Sequence, residues 1–232
     1  MQDFALTLSE MGEVVVIGGM VRDLFLSGNA NFNSDVDFVI NPASMHDFDR
    51  FVSERNAIPN RFGGYGLRLD RWRVDVWPLE RTWAGLHADL QMNSMSDLLR
   101  STFFNWDAAL YDVVNHRVIT GGDYYESVER RVLDVNLSVN PNPLGNAVRA
   151  LKYGWIWDAL LAPSLAEHVL RQMTDSEWGL KPSSSSGLVR RLLKTMGSTK
   201  VERTLLAIIE TGRPGPLPRP SQLDLFLEGP KD

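Results

Sequence analysis

Two aspartates separated by one valine, Asp35 and Asp37, are the residues whose type and spacing point most directly to chemistry. In a β-strand, side chains alternate between faces, so the two carboxylates point the same way and Val36 points into the core. Like charges so placed repel each other unless a cation lies between them. Mg²⁺ prefers hard oxygen ligands and keeps substrate phosphates in its shell. The pair therefore indicates a site for a divalent cation, although acidic loops also contain this pattern.

Asp75 is the best candidate for a third carboxylate. It lies at the centre of the otherwise apolar strand "RVDVW". A buried, unpaired carboxylate is expensive, so an aspartate at this position needs a metal ion or an arginine beside it. Arg71 and Arg73 share its polar face, which leaves a salt bridge as the alternative. A third carboxylate would complete a two-metal site.

Gly18 and Gly19 come between a short apolar strand, "EVVVI", and a helical pattern, "MVRDLFLS". Glycines let a phosphate approach the backbone, and a helix N-terminus offers unpaired N–H groups and the positive end of a dipole. The pattern is typical of a phosphate-binding turn. The alternatives are a tight turn without a ligand and, for Arg22 and Asp23, a local ion pair of little energetic consequence.

The elements that must position these residues predict a mixed α/β fold. Residues 1–140 are expected to form a mixed β-sheet flanked by helices, with a hairpin around Val114 and Asn115. Residues 141–211 have helical periodicity and are expected to form an all-helical region, interrupted by a loop at 181–187. Residues 212–232 are rich in proline and are expected to form an extended, mobile tail.

Composition excludes several classes of site. The chain has 232 residues, no cysteine and a formal net charge of -5. Disulfides and thiolate metal sites are therefore absent, and a broad basic surface is not expected. The start of the sequence lacks the basic and apolar regions of a signal peptide, and no apolar run is long enough to span a membrane. We expect a cytoplasmic protein.

Three stretches of the sequence resemble one family. "IGGMVRDLFLSGNANFNSDVDFVI" resembles the first motif of the polymerase-β-type nucleotidyltransferases, in the branch of tRNA CCA-adding enzymes and bacterial poly(A) polymerases. "RVDVW" is similar to that family's third carboxylate strand, and "FNWDAALYD" resembles its F-T-I-N-A-x-A-Y-D stretch. The resemblance covers roughly the first two-thirds of the chain and implies the head domain of such an enzyme.

The resemblance implies Mg²⁺-dependent transfer of a nucleoside monophosphate from a triphosphate such as ATP to a hydroxyl, with the 3′ end of a nucleic acid as the favoured acceptor. Asp35 and Asp37 would hold two Mg²⁺ ions, and Asp75 would hold the catalytic ion and accept the hydroxyl proton. The candidate nucleotide-binding residues are Gly18, Gly19, Arg22, Arg149 and Lys152. For the last two, one helical turn apart, the alternative is a solvated helix face.

Two motifs of the family are replaced. Its Arg-Arg-Asp reads Ser101-Thr102-Phe103, and its base-reading Glu-Asp-x-x-Arg reads Pro141, Asn142 and Gly145 at the matching positions. We therefore do not expect a full CCA-adding enzyme. Two alternatives stay open: a catalytically weak or inactive binding module, and an adenylyltransferase for small molecules of the antibiotic type.

A second resemblance lies near the C-terminus. Gln222, Leu223, Asp224, Leu225 and Phe226 resemble the pentapeptide Q-L-[SD]-L-F with which bacterial replication proteins dock on the DNA polymerase sliding clamp. Apolar residues on an extended arm are typical anchors for a partner's pocket. The resemblance implies that the sliding clamp is a partner and that the protein has a link to DNA replication. The alternative is that these residues fold back onto the helical region.

Overall fold

A computed structural model of the chain describes residues 1–28, 35–174 and 184–219. These residues form two compact units. The first contains Met1–Tyr124 and Asn136–Val139, and the second contains Tyr125–Val135 and the described residues from Asn140 onward. None of the described helices is long and apolar enough to cross a lipid bilayer.

The first unit is built on a seven-stranded mixed sheet. Its strands are β1 Gly12–Ile17, β2 Val36–Pro42, β3 Ile58–Pro59, β4 Tyr65–Leu69, β5 Trp72–Pro78, β6 Ala109–Asp112 and β7 Arg117–Thr120. Their order across the sheet is β3-β4-β5-β2-β1-β6-β7. The β2–β5 pair is parallel and all other neighbours are antiparallel. The predicted mixed sheet is confirmed, and β6 and β7 form the predicted hairpin.

Helices cover the sheet because β1 and β2 are apolar on both faces. The longer ones are α1 Gln2–Ser9, α2 Gly19–Ser27, α3 Met45–Glu54 and α4 Trp83–His87, with 3₁₀-helices at Leu79–Arg81, Met95–Arg100 and Asn105–Asp107. On one face of the sheet, the ring of Phe38 in β2 packs edge-on against that of Phe4 in α1, with centroids 5.7 Å apart. On the opposite face, a buried cluster consists of Val15, Val39, Leu79, Met95, Leu98 and Leu110.

The second unit is helical apart from one short parallel pair of strands. Its elements are α5 Tyr124–Glu129, β8 Val132–Leu133, α6 Pro143–Ile156, β9 Leu160–Leu161, α7 Pro163–Thr174, α8 Ser184–Met196 and α9 Ser198–Thr211. The loop predicted at 181–187 is wrong from Ser184 onward, because α8 begins there. Serine is favoured at the start of a helix, and Val189 and Leu192 give this segment a buried stripe.

The mobile tail predicted from residue 212 is also wrong for its first residues. Gly215 exchanges backbone hydrogen bonds with Leu161. The carbonyl of Pro218 accepts a 3.0 Å hydrogen bond from the indole N–H of Trp155, and Leu217 is buried. These hydrogen bonds and the buried Leu217 side chain hold this segment against the helical unit.

Candidate active site

The parallel pairing of β2 with β5 brings two of the three predicted carboxylates together. Asp37 and Asp75 are register partners on these neighbouring strands, so their side chains lie side by side on one sheet face. Asp35 immediately precedes β2 and is exposed, and it lines the same cavity as Asp75. Asp37 and Asp75 are far apart in the sequence, and it is the pairing register of β2 with β5 that brings them together.

The electrostatics of the site reflect this convergence. The pKa of Asp37 is raised to about 7, chiefly by burial and then by the negative charges of Asp75 and Asp35, while a hydrogen bond from the Trp77 indole opposes the shift. Burial and the charge of Asp35 also raise the pKa of Asp75, against a hydrogen bond from Asn60 that lowers it. The site thus holds carboxylates that resist ionising together, which is the condition that a bound cation relieves.

Asn60 holds Asp75 in place from a tight turn between β3 and β4. Its side-chain oxygen accepts hydrogen bonds from the backbone N–H groups of Phe62 and Gly64, at 2.9 and 3.1 Å. Its amide nitrogen is thereby aimed at Asp75 and donates to Oδ1 at 3.1 Å. The turn therefore determines the orientation of the carboxylate, a role that the residue types alone did not reveal.

The glycine turn lies directly beside Asp37. Ile17, the last residue of β1, is the register partner of Asp37, and Gly18 follows as the N-cap of α2. Gly18 has φ +79°, a conformation that L side chains rarely adopt, and a Cβ built on it would lie 3.7 Å from Oδ2 of Asp37. The first N–H groups of α2, beginning with Gly19, therefore start next to a carboxylate of the site.

Arg22 is buried behind the turn. Its Nε and Nη2 donate to Oδ1 of Asp23, at 3.0 and 2.7 Å, and its Nη1 donates to Oδ1 of Asp107. Asp107 is also buried, and its charge contributes to the raised pKa of Asp37. These bonds tie α2 to the 3₁₀-helix at Asn105–Asp107 and so fix the position of the glycine turn. The predicted phosphate contact of Arg22 stays a prediction.

The carboxylates fit a metal ion as a pair. Residues 1–28, 35–174 and 184–219 contain no group of three or more acidic or histidine side chains already arranged around one ion position. Mg²⁺, however, is usually bound by one or two protein carboxylates and completed by water and substrate phosphates. The adjacent Asp37 and Asp75, whose pKa values are both raised, match that requirement in ligand type and in charge.

The remaining candidates lie elsewhere in the chain. Arg149 and Lys152 are in α6 of the second unit, where Arg149 donates to the Tyr153 hydroxyl at 3.2 Å and to Oδ1 of Asn146 at 3.4 Å. Asn142 caps α6 by accepting a 3.1 Å bond from the Gly145 N–H. Residues 222–226, the predicted clamp-binding segment, lie outside the described residues.

Sequence reasoning missed two residues that contact the site, Asn60 and Trp77. Trp77 lies two positions after Asp75 in β5 and therefore on the same face, so alternation alone could have linked them. Asn60 precedes "RFGG", which is a recognisable turn, but its contact with Asp75 depends on how β4 pairs with β5.

Comparison with solved structures gives the same fold. The chain is similar to a tRNA nucleotidyltransferase complexed with a primer tRNA and an incoming ATP analogue, with a TM-score of 0.54, 16% identity and 91% of this chain covered. It is also similar to a CCA-adding enzyme in complex with ATP, with a TM-score of 0.52, 18% identity and 81% of this chain covered. The predicted nucleotidyltransferase-type fold is confirmed.

These similarities lie in the three-dimensional structure and not in the amino-acid sequence. The chain spans 60% of the tRNA nucleotidyltransferase chain and 43% of that CCA-adding enzyme, so it covers less than two thirds of either. No protein-family model matches the sequence, and no curated protein sequence is significantly similar.

Proposed function

We propose that this protein is a divalent-metal-dependent nucleotidyltransferase. It transfers a nucleoside monophosphate from a nucleoside triphosphate to a hydroxyl acceptor, with a nucleic-acid 3′ end favoured, and it is not a full CCA-adding enzyme. The observation that carries the proposal is the pairing of Asp37 with Asp75 on adjacent strands, beside a glycine turn that opens a helix. The similarity to structures of nucleotidyltransferases supports it.

The residues of the proposed site have two roles, metal binding and phosphate binding. Asp37 and Asp75, with Asp35 at the rim, would hold Mg²⁺, which when bound neutralises triphosphate charge and favours ionisation of the attacking hydroxyl. The backbone N–H groups that follow Gly18 bind the β- and γ-phosphates, which a glycine allows to approach closely. The ion pairs of Arg22 with Asp23 and Asp107 keep that turn rigid.

The reaction is an in-line displacement at the α-phosphorus. The acceptor oxygen forms a new P–O bond, the bond between the α-phosphorus and its bridging oxygen to the β-phosphate breaks, and pyrophosphate leaves with the bonding electrons. The proton of the hydroxyl passes to the Asp75 carboxylate, directly or through water. The chain contributes mainly positioning and charge neutralisation, which is where most catalysis of phosphoryl transfer arises.

The proposal is tested by incubating the full chain with labelled nucleoside triphosphates, Mg²⁺ and either oligonucleotides or aminoglycosides. We expect labelled oligonucleotide product, and we expect Asp35→Ala and Asp75→Ala to remove it. Asp3→Ala, an exposed carboxylate on α1, is the matched control and should leave the yield unchanged. Transfer that survives Asp75→Ala would show that the site is wrongly assigned, and labelled aminoglycoside would replace the nucleic-acid acceptor with a small molecule.

A second candidate function is a nucleotide-binding module without turnover. One observation favours it: Asn142 and Gly145 form a helix cap where the family reads the base. Calorimetry with each nucleoside triphosphate and Mg²⁺ separates the candidates. Binding of a triphosphate with no product for any acceptor would favour the module.

The sliding clamp is the proposed partner, and this part of the proposal rests on the sequence of residues 222–226. A peptide spanning residues 219–229 should bind purified clamp, and alanine at Leu225 and Phe226 should abolish binding because both side chains fill apolar pockets. A wild-type peptide without affinity would remove the clamp from the proposal. Triphosphates and the clamp share the bacterial cytoplasm, which is the compartment that we propose.

A further inference from the structure

A row of arginines lies next to the carboxylates on the same face of the sheet. Arg68 in β4 and Arg73 in β5 are direct register partners, and Gly66 and Asp75 are the next pair on that face. Both arginines are exposed, and within the described residues neither makes an ion pair. Like charges directly opposite each other across two strands are destabilising, so this pair, like the carboxylates, favours a ligand of opposite charge.

These arginines line a cavity that opens at Asp75. The cavity has a volume of about 640 Å³, and its lining includes the carboxylates Asp35 and Asp75 and the arginines Arg55, Arg68 and Arg73. This volume is within the range of pockets that hold small ligands, so the cavity can take one or two nucleotides. Ile58 and Pro59, both exposed, add an apolar edge suited to a sugar or a base.

Gly66 keeps the path from this cavity to Asp75 open. It is the register partner of Asp75, and a Cβ built on it would lie 3.4 Å from Oδ1 of Asp75 and 3.7 Å from the carbonyl oxygen of Ile58. Any side chain at this position would therefore extend between the carboxylate and the cavity. The glycine leaves room for an acceptor group to reach Asp75 from the β4 side.

The order of the strands assigns the two sides of the carboxylates to different substrates. Gly18 follows β1, Asp37 is on β2, Asp75 is on β5 and Arg68 is on β4, and these four strands are consecutive in the sheet. In an in-line displacement, the acceptor approaches opposite the leaving pyrophosphate. If the triphosphate lies at the Gly18 turn, the acceptor must come from the cavity that contains the arginines.

We infer that this cavity is the acceptor subsite, and that Arg68 and Arg73 bind the phosphodiesters next to the 3′ end of a single-stranded nucleic acid. The inference rests on the proposed function and specifies its acceptor. Arginines recognise phosphate through charge and planar hydrogen bonding. The same residues disfavour a polycationic acceptor such as an aminoglycoside, because it would face three guanidinium groups at the entrance to Asp75.

The test measures binding of short, end-labelled single-stranded RNA and DNA by fluorescence anisotropy, at fixed Mg²⁺ over a series of salt concentrations. Arg68→Ala/Arg73→Ala should weaken binding by about tenfold and reduce the slope of log K against log salt by about 1.4, since each phosphate contact to a single strand contributes about 0.7. Arg68→Lys/Arg73→Lys should retain most of the salt slope, which shows that charge and not folding is responsible.

Arg61→Ala/Arg71→Ala is the matched control. These arginines are exposed, stack on the adjacent Phe62 and Trp72 rings and do not line the cavity, so the net charge changes equally. Equal affinity of the two double-alanine variants would overturn the inference, as would absence of oligonucleotide binding by the wild-type protein. Because no turnover enters the measurement, arginine-dependent binding without nucleotidyl transfer would support the subsite while contradicting the proposed function.

Discussion

The two ends of one sheet face of the first unit differ sharply in polarity. Around Val39 the face is apolar, and the cluster with Val15 and Leu98 is almost completely buried. Two residues earlier on β2, Asp37 is held beside Asp75 with a pKa raised to about 7. Apolar packing at the first end stabilises the fold, whereas charge repulsion at the second destabilises it. Apolar packing at the first end therefore offsets the electrostatic repulsion at the second end.

Trp77 connects the two ends. Its ring packs against the apolar cluster, and its indole N–H donates to the Asp37 carboxylate. The site is therefore supported from within the core, since rigid packing fixes the group that stabilises the ionised carboxylate. Destabilised charged sites of this kind are expected where a protein binds a ligand of opposite charge. Changes at the apolar end should therefore affect stability at every pH without altering binding, whereas changes at the charged end should affect binding and the pH dependence of stability.

The largest change in stability is expected at the apolar end. Leu98→Ala should lower the free energy of unfolding by about 2–5 kcal/mol, because the side chain is 1% exposed and its removal leaves a cavity. Leu6→Ala, at a leucine that is 51% exposed, is the control and should change it by less than about 0.5 kcal/mol. Urea unfolding measures both, and calorimetry on the folded variants should show unchanged triphosphate affinity. Weakened affinity in folded Leu98→Ala would break the separation between the ends.

At the charged end, Asp37→Asn should increase stability, and the increase should depend on pH. The pKa of Asp37 is about 7 in the folded protein against an ordinary value of 3.8, so between these values the folded state binds more protons than the unfolded state. Wild-type stability should therefore fall as pH rises from about 4 to 7. Above pH 7 in chelator, Asp37→Asn should be more stable by on the order of a few kcal/mol, and the difference should vanish near pH 4.

Unfolding curves across that pH range check this prediction. Asp3→Asn is the control, since it removes an exposed carboxylate on α1. Added Mg²⁺ should stabilise the wild-type protein and have less effect on Asp37→Asn, because an ion that binds only the folded state shifts the equilibrium toward it. A stability difference that is the same at every pH would mean that repulsion among the carboxylates is not its source.

How much of the fold and of the candidate site the sequence can predict depends on how far apart the contacting residues lie along the chain. Gly18, Asp37 and Asp75 were recognisable from local signals: a glycine pair after a strand, and charged residues that interrupt apolar alternation. The neighbours of Asp75 were not, because the β2–β5 pairing joins segments about 38 residues apart and no local pattern specifies its register. The Arg22–Asp107 ion pair joins residues 85 positions apart, and the sequence could not predict it for the same reason.

Helix boundaries show the same contrast. Pro143 and Pro163 begin helices, a boundary with a local signal because proline is favoured in the first turn. The start of α8 at Ser184 and the packing of Leu217 depend on tertiary contacts, which override the loop-like composition of both segments. Local chemistry thus identified the candidate residues, and only the register of the sheet identified what surrounds them.

A smaller effect is expected at Asn60, which supports the charged end from outside the core. Asn60→Asp retains the oxygen that accepts from Phe62 and Gly64 but replaces the donor to Asp75 with a negative charge. The pKa of Asp75, already raised by burial, should rise further, and nucleotidyl transfer should fall by about 10–100-fold. The rise of activity with pH should move to higher pH, which a purely structural role would not produce.

Asn56→Asp is the matched control for this prediction. Asn56 lines the same cavity and is exposed, and the hydrogen bond to Asp75 comes from Asn60, so Asn56→Asp adds the same charge without removing that bond. Its pH–rate profile should stay close to that of the wild-type protein. Equal shifts in the two variants would assign the effect to the general charge of the cavity and not to the Asn60–Asp75 bond.

The smallest effect is expected at Trp77, where the two ends meet. Trp77→Phe retains most of the apolar packing and removes the indole N–H, so the pKa of Asp37 should rise above about 7. Because the lost hydrogen bond stabilises only the ionised carboxylate, unfolding free energy should fall by about 1 kcal/mol more above pH 7 than near pH 4. Urea unfolding in chelator measures both values. A loss of the same size at both pH values would arise from packing alone, and Trp77 would then belong to the apolar end only.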